Sequence, residues 1–229
     1  MSTRLKFNVK NLSNHPLEFF FFQQPAIYTG GSKVYSNSIQ NVLLGPYSEG
    51  ASTYTFLLNL QFFAGAQQRY TSPDVGQQSG YLSAIRAVDL TPADTSTAQN
   101  NSTTLSLSPF GLAAPVADTS AQPGSFRFVS PVFNPDLNDI IYAGSAVQLA
   151  DGSVVLSNFT TLFPNQNLDC QPILKFYLQT GTYEAGTVMN FTSSSQTAAN
   201  CDATTGENTF DVTYNADGTW TVVPSCSVF

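Results

Sequence analysis

Alternation of apolar and polar residues begins at once. Leu5, Phe7 and Val9 fall on one side of an extended chain, and Arg4, Lys6, Asn8 and Lys10 fall on the other. A period of two marks a strand with one face buried. The segment Asn11–Pro16 is rich in turn formers, and a second apolar run occupies Leu17–Gln23. Together they predict an N-terminal hairpin. The second run contains Phe19, Phe20, Phe21 and Phe22 in succession. Neighbouring strand residues point to opposite faces, so four phenylalanines in a row cannot share one core. The strand is expected to be covered on both sides, as continuous apolar strands usually are. An interface on one side is the alternative.

Ile27–Ile39 reads as a loop rich in Gly, Ser, Asn and Tyr. Thr53–Phe63 follows as the strongest strand, with Tyr54, Phe56, Leu58, Leu60 and Phe62 on one face. Tyr81–Leu90 is too short and mixed for its period to separate strand from helix. Two polar stretches, Thr91–Thr104 and Leu112–Gly124, are read as long loops, because neither flank looks self-sufficient. Further strands are expected at Ser125–Ser130, Ile140–Leu149, Ser153–Phe163, Ile173–Gln179 and Thr187–Thr192. The chain closes on a hairpin. Phe210, Val212 and Tyr214 alternate with polar residues, Asn215–Gly218 turns the chain, and Trp220 and Val222 alternate back. About ten strands with regular turn signals predict an all-β, single-domain sandwich over residues 1–229, jelly-roll-like or barrel-like, with long polar loops.

Composition narrows the function classes. Only 10% of the 229 residues are charged, and the formal net charge is −7. Average soluble domains carry roughly a quarter charged residues. Here Ser, Thr, Asn, Gln and Gly fill the polar positions instead. Such a surface makes hydrogen bonds without desolvating ions, which suits self-association, carbohydrate binding or contact with a membrane surface. Nucleic-acid binding needs clustered cations to displace condensed counterions. Eight Lys and Arg are thinly spread, so no nucleic-acid partner is expected. The opening residues show no apolar leader, so a cytoplasmic location is the default expectation, with non-classical release as a further route.

Candidate chemistry is sparse. His15 is the only histidine and sits in a predicted turn between Asn14 and Pro16, so a Ser–His–Asp or Cys–His mechanism would have to be built there. Asp136 and Asp139, with Asn134 and Asn138, have the composition of a calcium loop and equally of a polar turn. Asp89, Asp94 and Glu184 are the carboxylates that could pair as acid and base. None of these signals is specific, and no catalytic residue, metal or cofactor is assigned. Tyr28, Tyr35, Tyr47, Tyr54 and Tyr70 lie in or beside Gly/Ser/Asn-rich segments, where a ring can cover the apolar face of a sugar or lipid headgroup. Three cysteines are an odd number. Cys201 and Cys226 flank the C-terminal hairpin and could form a disulfide, leaving Cys170 to bridge copies.

The leading expectation is a non-enzymatic β-sandwich that self-associates into an ordered assembly or storage body through Phe19, Phe20, Phe21, Phe22 and Cys170. A glycan- or membrane-binding module, lectin- or toxin-like, is the first alternative. A pocket-type enzyme without a reactive histidine, such as a cyclase or isomerase, is the second.

Overall fold

A computed structural model describes residues 4–50, 53–69, 71–79, 84–94, 99–136 and 140–226. Its regular secondary structure is almost entirely strand. The larger of two sheets runs from β15 (Ala199–Asp202) through β13 (Lys175–Thr180), β2 (Leu17–Gln23), β4 (Val34–Leu44), β11 (Val154–Thr161), β10 (Ile140–Leu149), β5 (Tyr54–Arg69) and β1 (Arg4–Asn11). It ends on β16 (Thr209–Tyr214) and β17 (Trp220–Ser225). The two-residue β14 (Val188–Met189) adds to β4, and β6 (Ala84–Val88) adds to β5. The sheet curls until β15 and β17 lie side by side without pairing, an almost closed barrel. The second sheet has the order β3 (Ile27–Thr29), β12 (Asn167–Gln171), β9 (Phe126–Val129), β7 (Ser102–Leu107), β8 (Phe110–Leu112). The all-β, barrel-like sandwich expected from the alternation is the fold observed.

The Phe run explains the curl. Phe19 and Phe21 point into the barrel, where Phe21 meets Phe7 at 4.7 Å, Phe56 at 5.1 Å and Phe176 at 5.5 Å between ring centroids. Phe20 and Phe22 point outward, beneath Tyr177, Met189, Tyr183 and Phe191. The strand is covered on both faces, and all four rings are at most 1% exposed. Adjacent apolar residues therefore force a layer on the outside of the barrel as well as a core within it. That outer layer is made by β14 and by α1 (Phe191–Ser195), a short helix capped at Asn190, whose Oδ1 accepts from Ser193 N. Thr187–Thr192 is thus two strand residues followed by a helix start. A single strand fails there because Asn190 satisfies the first free amide of a helix.

β1 and β2 do not form the expected hairpin. β1 pairs antiparallel with β5 and parallel with β16, while β2 pairs with β4 and β13. The residues between them carry the chain across the barrel, so that Phe7 and Phe21 face each other through the core. At the other end the expected hairpin is present: β16 and β17 pair from Thr209 with Ser225 to Tyr214 with Trp220. Gly218 takes φ 84° in its turn, a conformation that costs little only for glycine.

A second core lies between the two sheets, where Ala64, Ala66, Ile141 and Ala143 meet Phe126, Phe128, Leu168 and Cys170. Small residues on the large sheet let the second sheet approach closely. Gly144 is packed against the neighbouring strand β11 as well as against Tyr28 of the second sheet. A Cβ there would lie 2.1 Å from the Asn158 carbonyl oxygen and 2.6 Å from the Tyr28 hydroxyl. Arg127 ties the 113–124 loop to this sheet. Its guanidinium donates to Asp169 at 2.6 and 2.8 Å and to Asp118 at 3.0 Å.

Candidate functional site

The outer face of the large sheet is dressed by two segments. One is β14 with α1. The other, residues 71–79, is laid across the sheet as a strap. Gly76 N donates to Val188 O at 2.8 Å, Val188 N to Gln77 O at 2.9 Å, and Ser79 N to Gly186 O at 2.9 Å. Asn37 holds the strap from below through Nδ2 to Ser79 Oγ at 2.8 Å, and Arg69 donates to the carbonyls of Gln78 and Ser79. Beneath the strap lie Tyr142, which hydrogen-bonds Ser72, and Gln67, whose side-chain amide is 1% exposed and finds no partner among the described residues. Burial pushes the Tyr142 phenol above its ordinary range.

Where these segments meet the start of β4, a cleft of about 350 Å³ opens. Lys33, Val34, Tyr35 and Ser36 contribute from β4 and the turn before it, Pro73, Asp74 and Val75 from the strap, and Val188–Thr192 from β14 and α1; Pro25 completes it. Tyr35 is held rigidly. Its ring stacks on Phe159 at 5.3 Å and 17°, and meets Tyr142 edge-on at 5.8 Å and 88°. Phe191 is fixed by near-perpendicular contacts with Phe22 and Tyr177. The cleft thus combines two anchored rings, aliphatic walls, and the polar residues Asn190 and Thr192, with Ser36 almost wholly buried in its wall. Lys33 and Asp74 are the charged residues along it. This is the composition of a polar-ligand site: apolar faces for area, with a few convergent polar groups for orientation.

Of the five tyrosines singled out in the sequence, Tyr35 alone reaches this cleft among the described residues. Tyr28 is packed in the second core, where its hydroxyl donates to Asn158 O at 2.9 Å and burial raises its pKa well above the usual value. Tyr54 packs against the barrel core and accepts from Gln40 Nε2, and Tyr47 lies exposed beneath Lys10. Tyr70 falls outside the described residues. His15 is exposed in a bend, 2.8 Å from Asn14 Oδ1. Asn134 Oδ1 accepts from Asp136 N, closing a local turn, while Asn138 and Asp139 lie outside the described residues. Asp89 takes a hydrogen bond from Asn100 N, and neither it, Asp94 nor Glu184 lines the cleft.

The assembly residues are placed differently from the expectation. Phe19, Phe20, Phe21, Phe22 and Cys170 are all buried, so none presents a surface to a second copy. All three cysteines are free thiols. Cys201 is in the barrel core, where burial pushes its thiol up to about 12, and Cys226 is exposed beside Gly206 O. Burial likewise raises the Cys170 thiol far above its normal range. The cleft itself has a weak signal in sequence. Lys33, Asp74 and the Asn190–Phe191 pair are separated by long stretches, and only the fold gathers them. Comparison of the chain with family models, curated proteins and solved structures gives no match, so the site is read from its chemistry.

Proposed function

We propose that the protein is a non-enzymatic saccharide-binding module whose ligand lies in the cleft between β4, the strap and α1. The observation that carries this reading is the lining: anchored Tyr35 and Phe191 rings beside the polar residues Asn190 and Thr192 in about 350 Å³. A pyranose has an apolar face of C–H groups and a rim of hydroxyls, and such a lining serves both. Hydrolysis of a glycosidic bond most often uses a pair of carboxyl groups flanking it. Asp74 is the one carboxylate among the residues that line this cleft, which supports binding without turnover. The low charge of the whole chain fits the same mode, since recognition by neutral amides avoids the desolvation of ions.

Val75 is 57% exposed on the cleft and packs in no core cluster, so Val75→Arg fills the site without disturbing the fold. The test is an array of immobilised oligosaccharides probed with the wild type and this variant. Selective binding by the wild type, lost in Val75→Arg, is expected. Flat signals for the wild type across the array, or equal signals for both proteins, contradict the proposal.

Self-association remains the second reading, with a different surface from the phenylalanine run. Val132 is 79% exposed, and Phe133, Pro135, Phe163 and Pro164 line an adjoining apolar hollow of about 180 Å³. Apolar groups gathered at one end of a molecule suit contact with a second copy. Sedimentation of wild type and Val132→Asp at high concentration decides it: a mass above the monomer that the substitution abolishes supports this reading, and monomers throughout remove it.

A further inference from the structure

We propose, building on the saccharide reading, that the cleft selects an acidic saccharide, whose carboxylate is held by Lys33 while its ring takes the open face of Tyr35. A phenol ring has two faces. One face of Tyr35 is spent on Phe159, stacked at 17° and 5.3 Å, and Tyr142 meets it edge-on. Lys33 Nζ lies 5.0 Å from the ring centroid, over the remaining face. Any flat ligand that stacks on Tyr35 must therefore take that face from the ammonium.

The class of ligand decides what this exchange costs. A neutral sugar removes a cation–π contact and returns nothing to the lysine. A sugar carrying a carboxylate keeps Lys33 at the cleft in a charge-assisted hydrogen bond, which offsets the contact it replaces. Lys33 is free to do this. It forms no ion pair with Asp74, the other charged group of the cleft, or with any other described carboxylate. Asp74 repels an anion, so the carboxylate belongs at the Lys33 end, with sugar hydroxyls donating to Asp74. The chain's net charge of −7 opposes an acidic ligand only at long range, where salt screens it beyond about 8 Å.

The test compares methyl glucuronoside, its methyl ester and methyl glucoside by calorimetric or NMR titration. The wild type is expected to bind the free acid about tenfold more tightly than either neutral sugar, a preference that shrinks in about 0.5 M NaCl. Lys33→Gln is expected to erase the preference, leaving the three sugars equal. Lys33 is exposed, so this variant folds as the wild type does. Equal binding of all three by the wild type, or a Lys33→Gln protein that still prefers the acid, overturns this inference and leaves the saccharide reading intact. Failure of all three sugars to bind, or binding unaffected by Val75→Arg, removes the saccharide reading and this inference with it.

Discussion

Replacing Gly144 by alanine tests the close packing of β10 against its neighbour β11 and against Tyr28 of the second sheet. Gly144 lies on β10 opposite Phe159 on β11 and Gly65 on β5. The added methyl would sit 2.1 Å from Asn158 O, 2.6 Å from Phe159 Cα and 2.6 Å from the Tyr28 hydroxyl. Two of these three obstacles are backbone, so rotation of a side chain cannot relieve them. The Tyr28 hydroxyl would also be pushed off Asn158, to which it donates at 2.9 Å, and off Ser145 N, from which it accepts at 3.3 Å. Overpacking of a dense core costs about 1–3 kcal/mol, and a buried hydroxyl without a partner about as much again. We expect a loss of about 4 kcal/mol, which for a chain of this length lowers Tm by roughly 8–16 °C. Gly111 is the control, since a Cβ there meets nothing within 4 Å. Thermal and urea unfolding of both variants provides the assay. Gly144→Ala within about 0.5 kcal/mol of Gly111→Ala would refute the packing derived for the second core.

Three further outcomes follow from buried polar groups and thiols. Asp118 is held below the ordinary carboxylate range, first by the Ser120 hydroxyl and also by Arg127, so it stabilises the fold above its unfolded pKa. That contribution is lost as pH falls through the acid range below about 4, so the Tm gap between wild type and Asp118→Asn should narrow from pH 7 to pH 2–3; a constant or widening gap contradicts it. With Cys170 and Cys201 buried and their thiols raised, a thiol reagent at mildly alkaline pH should modify Cys226 alone in the native protein and all three cysteines once unfolded. Rapid native reaction of more than one thiol would show that a core is open. Gln67 buries an amide with no partner among the described residues, so Gln67→Met should raise stability by about 1–3 kcal/mol, and a loss would mean that the amide is satisfied after all.

The parts of the fold that were legible in the chain are those driven by apolar burial. β1, β2, β5, β10, β11 and the β16–β17 hairpin announce themselves by alternation or by continuous apolar runs. β4 and β7 do not, because their buried residues are largely polar. Ser36, Asn37 and Ser38 in β4, and Ser102 and Thr103 in β7, are almost wholly buried. Their polar side chains hydrogen-bond within the fold: Asn37 Nδ2 donates to Ser79 Oγ and Leu156 O, and Thr103 Oγ1 to Ala113 O. Hydrogen bonding there replaces the apolar signal, and the stretch reads as loop. The Phe19–Phe22 run shows the limit of reading function from pattern. Its two-faced character was legible, but whether the outer face meets the chain itself or a partner depends on residues 177–191, far away in sequence. The cleft was illegible for the same reason. Tyr35 stood out among five tyrosines only once the strap and α1 were placed beside it.

The central claim is that the protein acts by seating a saccharide between Tyr35 and Phe191. Titrating ¹⁵N-labelled protein with methyl glucuronoside and following its backbone amides tests this most directly. Shifts that saturate and are confined to Lys33, Tyr35, Asp74, Val75, Asn190, Phe191 and their neighbours are the predicted result. An unchanged spectrum at saturating sugar, or shifts gathered at Val132 and Phe163 on the apolar end, would contradict it.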